Sequence, residues 1–258
     1  MKEISSVGNP TIKELTKLNK SSKLRNQKRC FLVEGVRLID EVQKSKLEIE
    51  ALYVTKNFIE KNKNFISNFD KNKLTLISEN VAKKISDVET NQGIFATVKM
   101  RENSQIKISK SQILILYGLQ NPSNIGTILR SSIALGIDHV ILCDCCDLYN
   151  SKLIRAAMGA SFKRNIYQIN DIISLLRVLK EKGFKIYGTF VDSDAKDITT
   201  VDFSSPCVCI IGNEGNGIDD TVGQFTEKIT IKMRNDSESL NAAAAANIVI
   251  WEMTRQSK

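Results

Sequence analysis

The chain has 258 residues, is 42% hydrophobic and carries a formal net charge of +8, enough apolar material for one large domain or two of ordinary size. No apolar run approaches the roughly 18 residues of a membrane helix and no secretory segment opens the chain, so a protein of the reducing cytoplasm, without membrane attachment, is expected. The charge is unevenly spread: residues 1–110 hold 22 Lys and Arg against 13 Asp and Glu, and residues 111–258 hold 15 against 16. A basic first part beside a near-neutral second part fits a polyanion-binding module joined to another function, or a solvated lysine-rich surface.

Gly8-Asn9-Pro10 marks a turn, and Ile12, Leu15 and Leu18 form the stripe of a following helix. Residues 20–29 hold five basic residues and no acid, which predicts a mobile or solvated segment or a phosphate-contacting arm. From Cys30 the rhythm alternates. Strands are expected at 30–35, 50–55, 73–78 and 93–100, and helices at 36–45 and 56–69. Ser78 caps a further short helix. These make a small α/β sandwich of about 100 residues. The polar stretch 101–112 reads as the linker between a first domain over 1–105 and a second over 106–258.

The second domain opens with a fully apolar run at 113–119, the mark of a central parallel strand. A turn at 120–126 leads to a helix at 127–136, then a strand at 140–146. Asn150 caps the next helix. A short strand follows at 162–169, then a helix from Ile172 to Lys182 closed by Gly183, and strands at 184–191, 207–211 and 228–233. Without hairpin signals, this pattern predicts an open, mostly parallel sheet with helices on both faces. Cys143, Cys145 and Cys146, with Cys207 and Cys209, lack zinc-site spacing. They read as buried reduced thiols, and no metal is expected.

Chemistry concentrates at two junctions and one loop. Gly212 to Gly217 spells G-x-x-G-x-G, which is neither a dinucleotide fingerprint nor a P-loop. Its glycines let backbone N–H groups approach a ligand. Glu214 is either a solvated turn carboxylate or a site acid. Asn124 lies near the start of a helix, where anions are favoured, and Arg130 lies nearly two turns in, as a surface ion-pair residue or a phosphate ligand. Ser237, Ser239 and Asn241 crowd the loop before the alanine run Ala242–Ala246, and one of them must cap that helix. The alanine face allows close approach of a core neighbour or of a second subunit. The lone histidine, His139, at a strand entry, reads as structural, which removes histidine-based general-base chemistry.

Three segments together, Asn121–Arg130, Ile211–Gly217 and Ile231–Asn241, resemble in order and spacing the SpoU (TrmH) family of RNA ribose methyltransferases of the SPOUT superfamily. Residues 9–18 and 29–42 also resemble that family's RNA-binding extension of ribosomal-protein L30-like fold. The resemblance implies a trefoil-knotted open parallel sheet preceded by a small α/β L30e-like domain. It implies S-adenosylmethionine-dependent 2′-O-methylation of an RNA ribose, with large-subunit (23S) rRNA as substrate. A tRNA methyltransferase and a non-catalytic RNA-binding protein of the same fold are the alternatives. The family pattern assigns cofactor binding to Thr189, Gly212, Gly217, Ile231, Met233 and Leu240. It assigns catalysis to Arg130, Asn124, Glu214, Ser239 and Asn241. It also implies a homodimer in which the Asn124–Arg130 half of the site comes from the partner. The chain departs from the pattern at Gln120, where an acid is usual, at Lys232, where proline is usual, and in its alanines after Asn241.

Overall fold

Side-chain caps set many of the element boundaries. The structure, a computed structural model, describes residues 1–102, 106, 112–163, 165–204, 206–234 and 239–255. The chain divides into two compact units: Met1–Glu102 with Tyr149–Phe162, and Asn103–Leu148 with Lys163–Lys258. The expected linker lies largely outside the described residues.

The first unit holds a five-stranded sheet of β1 (Lys2–Ile4), β2 (Cys30–Glu34), β3 (Ile49–Thr55), β4 (Leu74–Ile77) and β5 (Ile94–Lys99), in the order β1-β4-β3-β5-β2. The first three strands in that order run parallel, and β5 is antiparallel to both its neighbours. One face carries α1 (Pro10–Lys20), α2 (Ser22–Lys28) and α6 (Glu79–Ile85), whose Ile12, Leu15, Leu18 and Ile85 pack on Leu32 and Phe95. The other carries α3 (Val36–Lys44), α4 (Lys56–Lys61) and α5 (Lys63–Ile66), with Leu38, Ile39 and Phe58 against Phe31 and Leu52.

Three expectations change here. The basic run is ordered as α2, not a mobile arm. Ser21 accepts from the Leu24 N–H as its cap, and Arg25 is only 2% exposed. The Arg25 guanidinium donates to the carbonyls of Leu18 and Asn19, which the end of α1 leaves without helical partners. The helix over 56–69 breaks at Asn62, whose side chain donates to the Phe58 carbonyl at 3.0 Å and whose own backbone leaves the helical region. The edge strand β1 carries too few residues to announce itself.

The second unit is a seven-stranded, all-parallel sheet among the described residues. Its strands are β6 (Gln112–Tyr117), β7 (His139–Cys143), β8 (Ile166–Ile169), β9 (Lys185–Thr189), β10 (Lys196–Asp197), β11 (Cys207–Ile211) and β12 (Glu227–Thr230). The order is β10-β12-β9-β11-β6-β7-β8. Helices α7 (Pro122–Leu135), α9 (Ile172–Glu181), α10 (Asp220–Gly223) and α11 (Ala242–Arg255) complete it, and α8 (Ser151–Ala157) falls in the first unit. Ile113 and Ile115 of β6 bury against Leu176 and Leu179 of α9. Alternation turns Leu114 and Leu116 to the opposite face, and α11 packs on α7 and β11. The six cysteines are free thiols, and burial pushes Cys207 up to about 12.

Two boundaries and one segment differ from expectation. Helix α7 starts at Pro122, five residues early, because Asn121 accepts from the Ser123 N–H as N-cap and Pro122 takes the first helical position. Strand β12 stops at Thr230, leaving Ile231–Met233 outside the ladder. The segment Tyr149–Phe162, expected in the second domain, belongs to the first unit. Its Tyr149 and Phe162 rings lie 4.5 and 5.8 Å from that of Phe31, and Ser151 donates to Asp87 at 2.6 Å.

Candidate functional site

Strands β6, β9, β11 and β12 end at one edge of the parallel sheet. There β6 continues to β7 on one side, while β11 and β9 lie on the other. Such a switch point is where open α/β sheets bind ligands. A cavity of about 610 Å³ occupies it, bounded by Thr189–Val191 after β9, Ile211–Ile218 after β11, Thr230, Ile231 and Met233 after β12, and Ser239–Ala242 with Ala245 leading into α11. The volume lies in the range of small-molecule sites.

The cavity wall is shaped by backbone. After β11 the chain doubles back, and Asn213 and Gly217 exchange two backbone hydrogen bonds of 3.0 Å. Gly217 takes a left-handed φ of 66°. A Cβ on Gly212 would lie 2.4 Å from the Gly217 carbonyl carbon, so only glycine fits. The Asn213 side chain fixes the rest of the turn. Its oxygen accepts from the N–H groups of Gly215 and Asn216 at 2.9 and 3.0 Å, and its nitrogen donates to the Gly118 carbonyl at 2.7 Å.

A chain of hydrogen bonds then ties three loops together at the cavity rim. Asn241 caps α11, accepting from the N–H groups of Ala243 and Ala244. Its amide nitrogen donates to Asn124 at 3.2 Å. Asn124 donates in turn to Glu214 at 3.2 Å, and Glu214 also accepts from the N–H groups of Gln120 and Asn121 at 3.3 Å. Desolvation pushes the Glu214 carboxyl up. Hydrogen bonds from its own N–H, Asn124, Gln120 and Asn121 outweigh that and hold it below its ordinary value. Glu214 is therefore an ionised acceptor set at the start of α7, where the helix dipole also favours an anion.

All six residues expected to bind cofactor, Thr189, Gly212, Gly217, Ile231, Met233 and Leu240, line the cavity, as do Glu214, Ser239 and Asn241. Ile231 and Met233 reach it because β12 ends early. Asn124 joins through its hydrogen bonds. Arg130 does not: it is exposed on α7 and has no ion pair or hydrogen bond among the described residues. It lies six positions after Asn124 on the helix, which turns the two roughly 120° apart around the axis. Within the chain, Asn124 bonds to Glu214 and Asn241. Ser237 lies outside the described residues. His139 sits at the opposite ends of the strands, with burial lowering its pKa.

The sequence does not single out Asn213 or Phe190, and it marks Gln120 only as a departure from the family pattern. Asn213 is readable as an Asx-turn residue in a glycine-rich loop. Gln120 clips its loop to the end of β7, donating to the carbonyls of Asp144 at 2.7 Å and Gly118 at 3.1 Å. No local signal marks it. Phe190 follows β9 directly and lies at the same sheet edge.

Comparisons with known proteins fit this geometry. Residues 111–251 match the SpoU rRNA Methylase family, and residues 9–96 match an MRM3-like substrate binding domain. The chain is 30% identical over 257 residues to the 23S rRNA (guanosine(2553)-2′-O)-methyltransferase RlmP of Bacillus subtilis, covering 98% of this chain and 99% of that one. Its fold is similar to the crystal structure of an AdoMet-bound rRNA methyltransferase from Sinorhizobium meliloti, with a TM-score of 0.85 and 26% identity over 98% of this chain and 97% of the other. A TrmH/SpoU tRNA modifying enzyme of A. aeolicus matches at a TM-score of 0.52 and 25% identity, over 58% of this chain and 77% of its own.

Proposed function

Because the chain belongs to the SpoU rRNA methylase family, we propose that it methylates a ribose 2′-hydroxyl of large-subunit rRNA in the cytoplasm, using S-adenosylmethionine. The observation that carries this reading is the bonded run Asn241–Asn124–Glu214, which joins the three family segments at the rim of a nucleoside-sized cavity. The tRNA alternative is weaker, since the tRNA enzyme corresponds to only 58% of this chain. No helix among the described residues is long and apolar enough to cross a membrane.

The residues present fit the cofactor. Gly212 and Gly217 expose backbone groups for its polar edges, and Ile231, Met233 and Leu240 supply apolar contact for its ring. When bound it supplies an electrophilic methyl group on a sulfonium. The protein's part would then be to place the 2′-oxygen in line with that methyl, so that the oxygen–carbon bond forms as the sulfur–carbon bond breaks and the hydroxyl proton passes to solvent water. Glu214 is occupied as a hydrogen-bond acceptor and acts as a positioning residue, holding Asn124 and the α7 start in register. Arg130 pairs with a phosphate next to the target ribose and orients the hydroxyl. A guanidinium holds its protons and offers no lone pair to accept another, so its contribution is placement and charge.

Arg130 stands away from the cavity of its own chain, so the site is completed by a second copy. α11 presents Ala244, Ile248, Trp251 and Arg255 to solvent at helical spacing, with Trp251 53% exposed and Ile248 37% exposed. This stripe, on the helix that packs against α7, is the surface we assign to the homodimer, in which Arg130 of the partner subunit meets the cavity. The family's trefoil knot belongs to the same reading, the turn at Gly212 leaving room for chain to pass close to chain.

Mapping 2′-O-methyl sites by mass spectrometry, in rRNA from cells with and without the gene, tests the function. One rRNA site should disappear in the deletion, and an unchanged rRNA map overturns the substrate assignment. Arg130→Ala should abolish methylation while cofactor binding by calorimetry stays nearly intact. Near-normal turnover by that variant sinks its assignment.

A further inference from the structure

The basic run of residues 20–29 has no role in the cofactor site, and its folded form gives it a different one. Lys17 and Lys20 occupy the last turn of α1, and Lys83 and Lys84 the last turn of α6. The two helices meet at these ends: Asn19 donates to the Ile85 carbonyl at 2.7 Å, and Thr16 to that of Lys84 at 3.4 Å. Lys23 follows at the start of α2, which the buried Arg25 fastens under the end of α1. Between residues 15 and 33 the chain has six basic residues and no acid.

Lys17, Lys20, Lys23, Lys83 and Lys84 are exposed, and none has an ion pair among the described residues. The single acid of α1, Glu14, is engaged by Lys28 at 3.1 Å. The opposite helix layer is nearer to charge balance: α3, α4 and α5 hold five basic residues against three acids, with Lys44 held by Asp40 at 2.7 Å and Glu41 at 3.1 Å, whereas α1, α2 and α6 hold eight against two. A helix dipole favours a cation at each carboxyl end, which accounts for one lysine per helix but not for five around one junction. Like charges fixed this close repel, and a phosphodiester backbone relieves the repulsion while releasing its own counterions. No aromatic residue lies in α1, α2 or α6, so the surface has nothing on which to stack bases.

We infer that the α1–α2–α6 junction binds the phosphate backbone of the substrate RNA, contributing affinity rather than sequence choice. The inference rests on the reading of the chain as an RNA methyltransferase.

The test uses the full chain and in-vitro-transcribed 23S rRNA, with affinity measured across a salt series. A variant carrying Lys17→Gln, Lys20→Gln, Lys83→Gln and Lys84→Gln is set against one carrying Lys44→Gln, Lys46→Gln, Lys56→Gln and Lys61→Gln on the opposite layer. Each lost phosphate contact lowers the slope of log affinity against log salt by about 0.7–0.9. The first variant should therefore lose about 3 in slope and at least about tenfold in affinity, and the second less than half of that. S-adenosylmethionine binding by calorimetry reports folding in each. If the fourfold variant does not fold, Lys83→Gln with Lys84→Gln should give about half the slope change. Equal losses in the two layers, or no loss in the first, overturn the surface assignment while wild-type methylation still stands. A wild-type chain that binds cofactor but neither binds nor methylates rRNA overturns the underlying reading instead.

Discussion

The two units treat their polar side chains in opposite ways. At the sheet edge of the second unit, Asn213, Asn124, Glu214 and Asn241 are engaged by one another and by backbone groups of three loops. On the α1–α2–α6 face of the first unit, five lysines stand without ionic partners. Mutual engagement fixes geometry before a ligand arrives, as a site that transfers one methyl group to one oxygen requires. Unengaged charge holds no geometry of its own and suits a long, repetitive anion.

The largest break in this contrast should come from Gly212→Ala. Its Cβ meets the Gly217 backbone, which cannot yield without opening the turn. We expect cofactor affinity by calorimetry to fall roughly 100-fold, with RNA affinity little changed, since the first unit is untouched. An affinity within threefold of wild type would show that the turn is not preorganised.

Glu214→Gln removes the charge but keeps a hydrogen-bond acceptor. Because the carboxylate is partly solvated, its bonds are screened, and a drop of about tenfold in kcat/KM is expected rather than total loss. The pH dependence sharpens the point. The folded carboxyl lies below its ordinary value, so its stabilisation is complete above the unfolded value of about 4.3 and is lost as pH falls through the lower folded value. Cofactor affinity should be flat in this group's contribution from pH 6 to 9 and weaken only in acid. A Glu214-dependent inflection near neutrality would instead make this residue a proton acceptor.

A smaller effect is expected at Asn121. Removing its cap with Asn121→Ala should cost about 1 kcal/mol of stability in chemical denaturation. It should also lower kcat/KM a few-fold, by loosening the α7 start that Glu214 grips. Smallest is the effect on thiol reactivity. With Cys207 pushed up to about 12 by burial, native protein should resist alkylation there at neutral pH, and rapid labelling would show the sheet to be open.

Much of the site was legible in the sequence because its residues lie close together along the chain. The glycines of residues 212–217, the polar loop before the alanine helix and the Asn121–Arg130 junction each declare a turn or a helix start within a few positions. The Asn121–Pro122 pair carries two signals at once, a turn and a cap with its first helical residue, and the turn signal alone sets the start of α7 five residues late. Gln120 and the division between Asn124 and Arg130 were not legible, since both depend on what lies across the sheet edge.

By itself, the sequence determined the parallel strands, through runs such as Ile113–Leu116 and Cys207–Ile211, and the caps at Ser78 and Asn150. These follow from interactions reaching only a few residues: apolar periodicity and side-chain capping. Around the cavity, the glycine turn and the polar loop before α11 are readable in the same local way, whereas Thr189, Ile231, Met233 and Leu240 were implied by the family resemblance. Only the tertiary structure decided that Arg25 is buried beneath α1, that Tyr149–Phe162 packs on Phe31, that β12 ends at Thr230 on the cavity wall, and that Lys83 and Lys84 join Lys17 and Lys20. Arg25 turns back six or seven residues to the end of a neighbouring helix, and the others depend on a partner tens of residues or more away or on where a neighbouring strand ends; no local pattern carries that information.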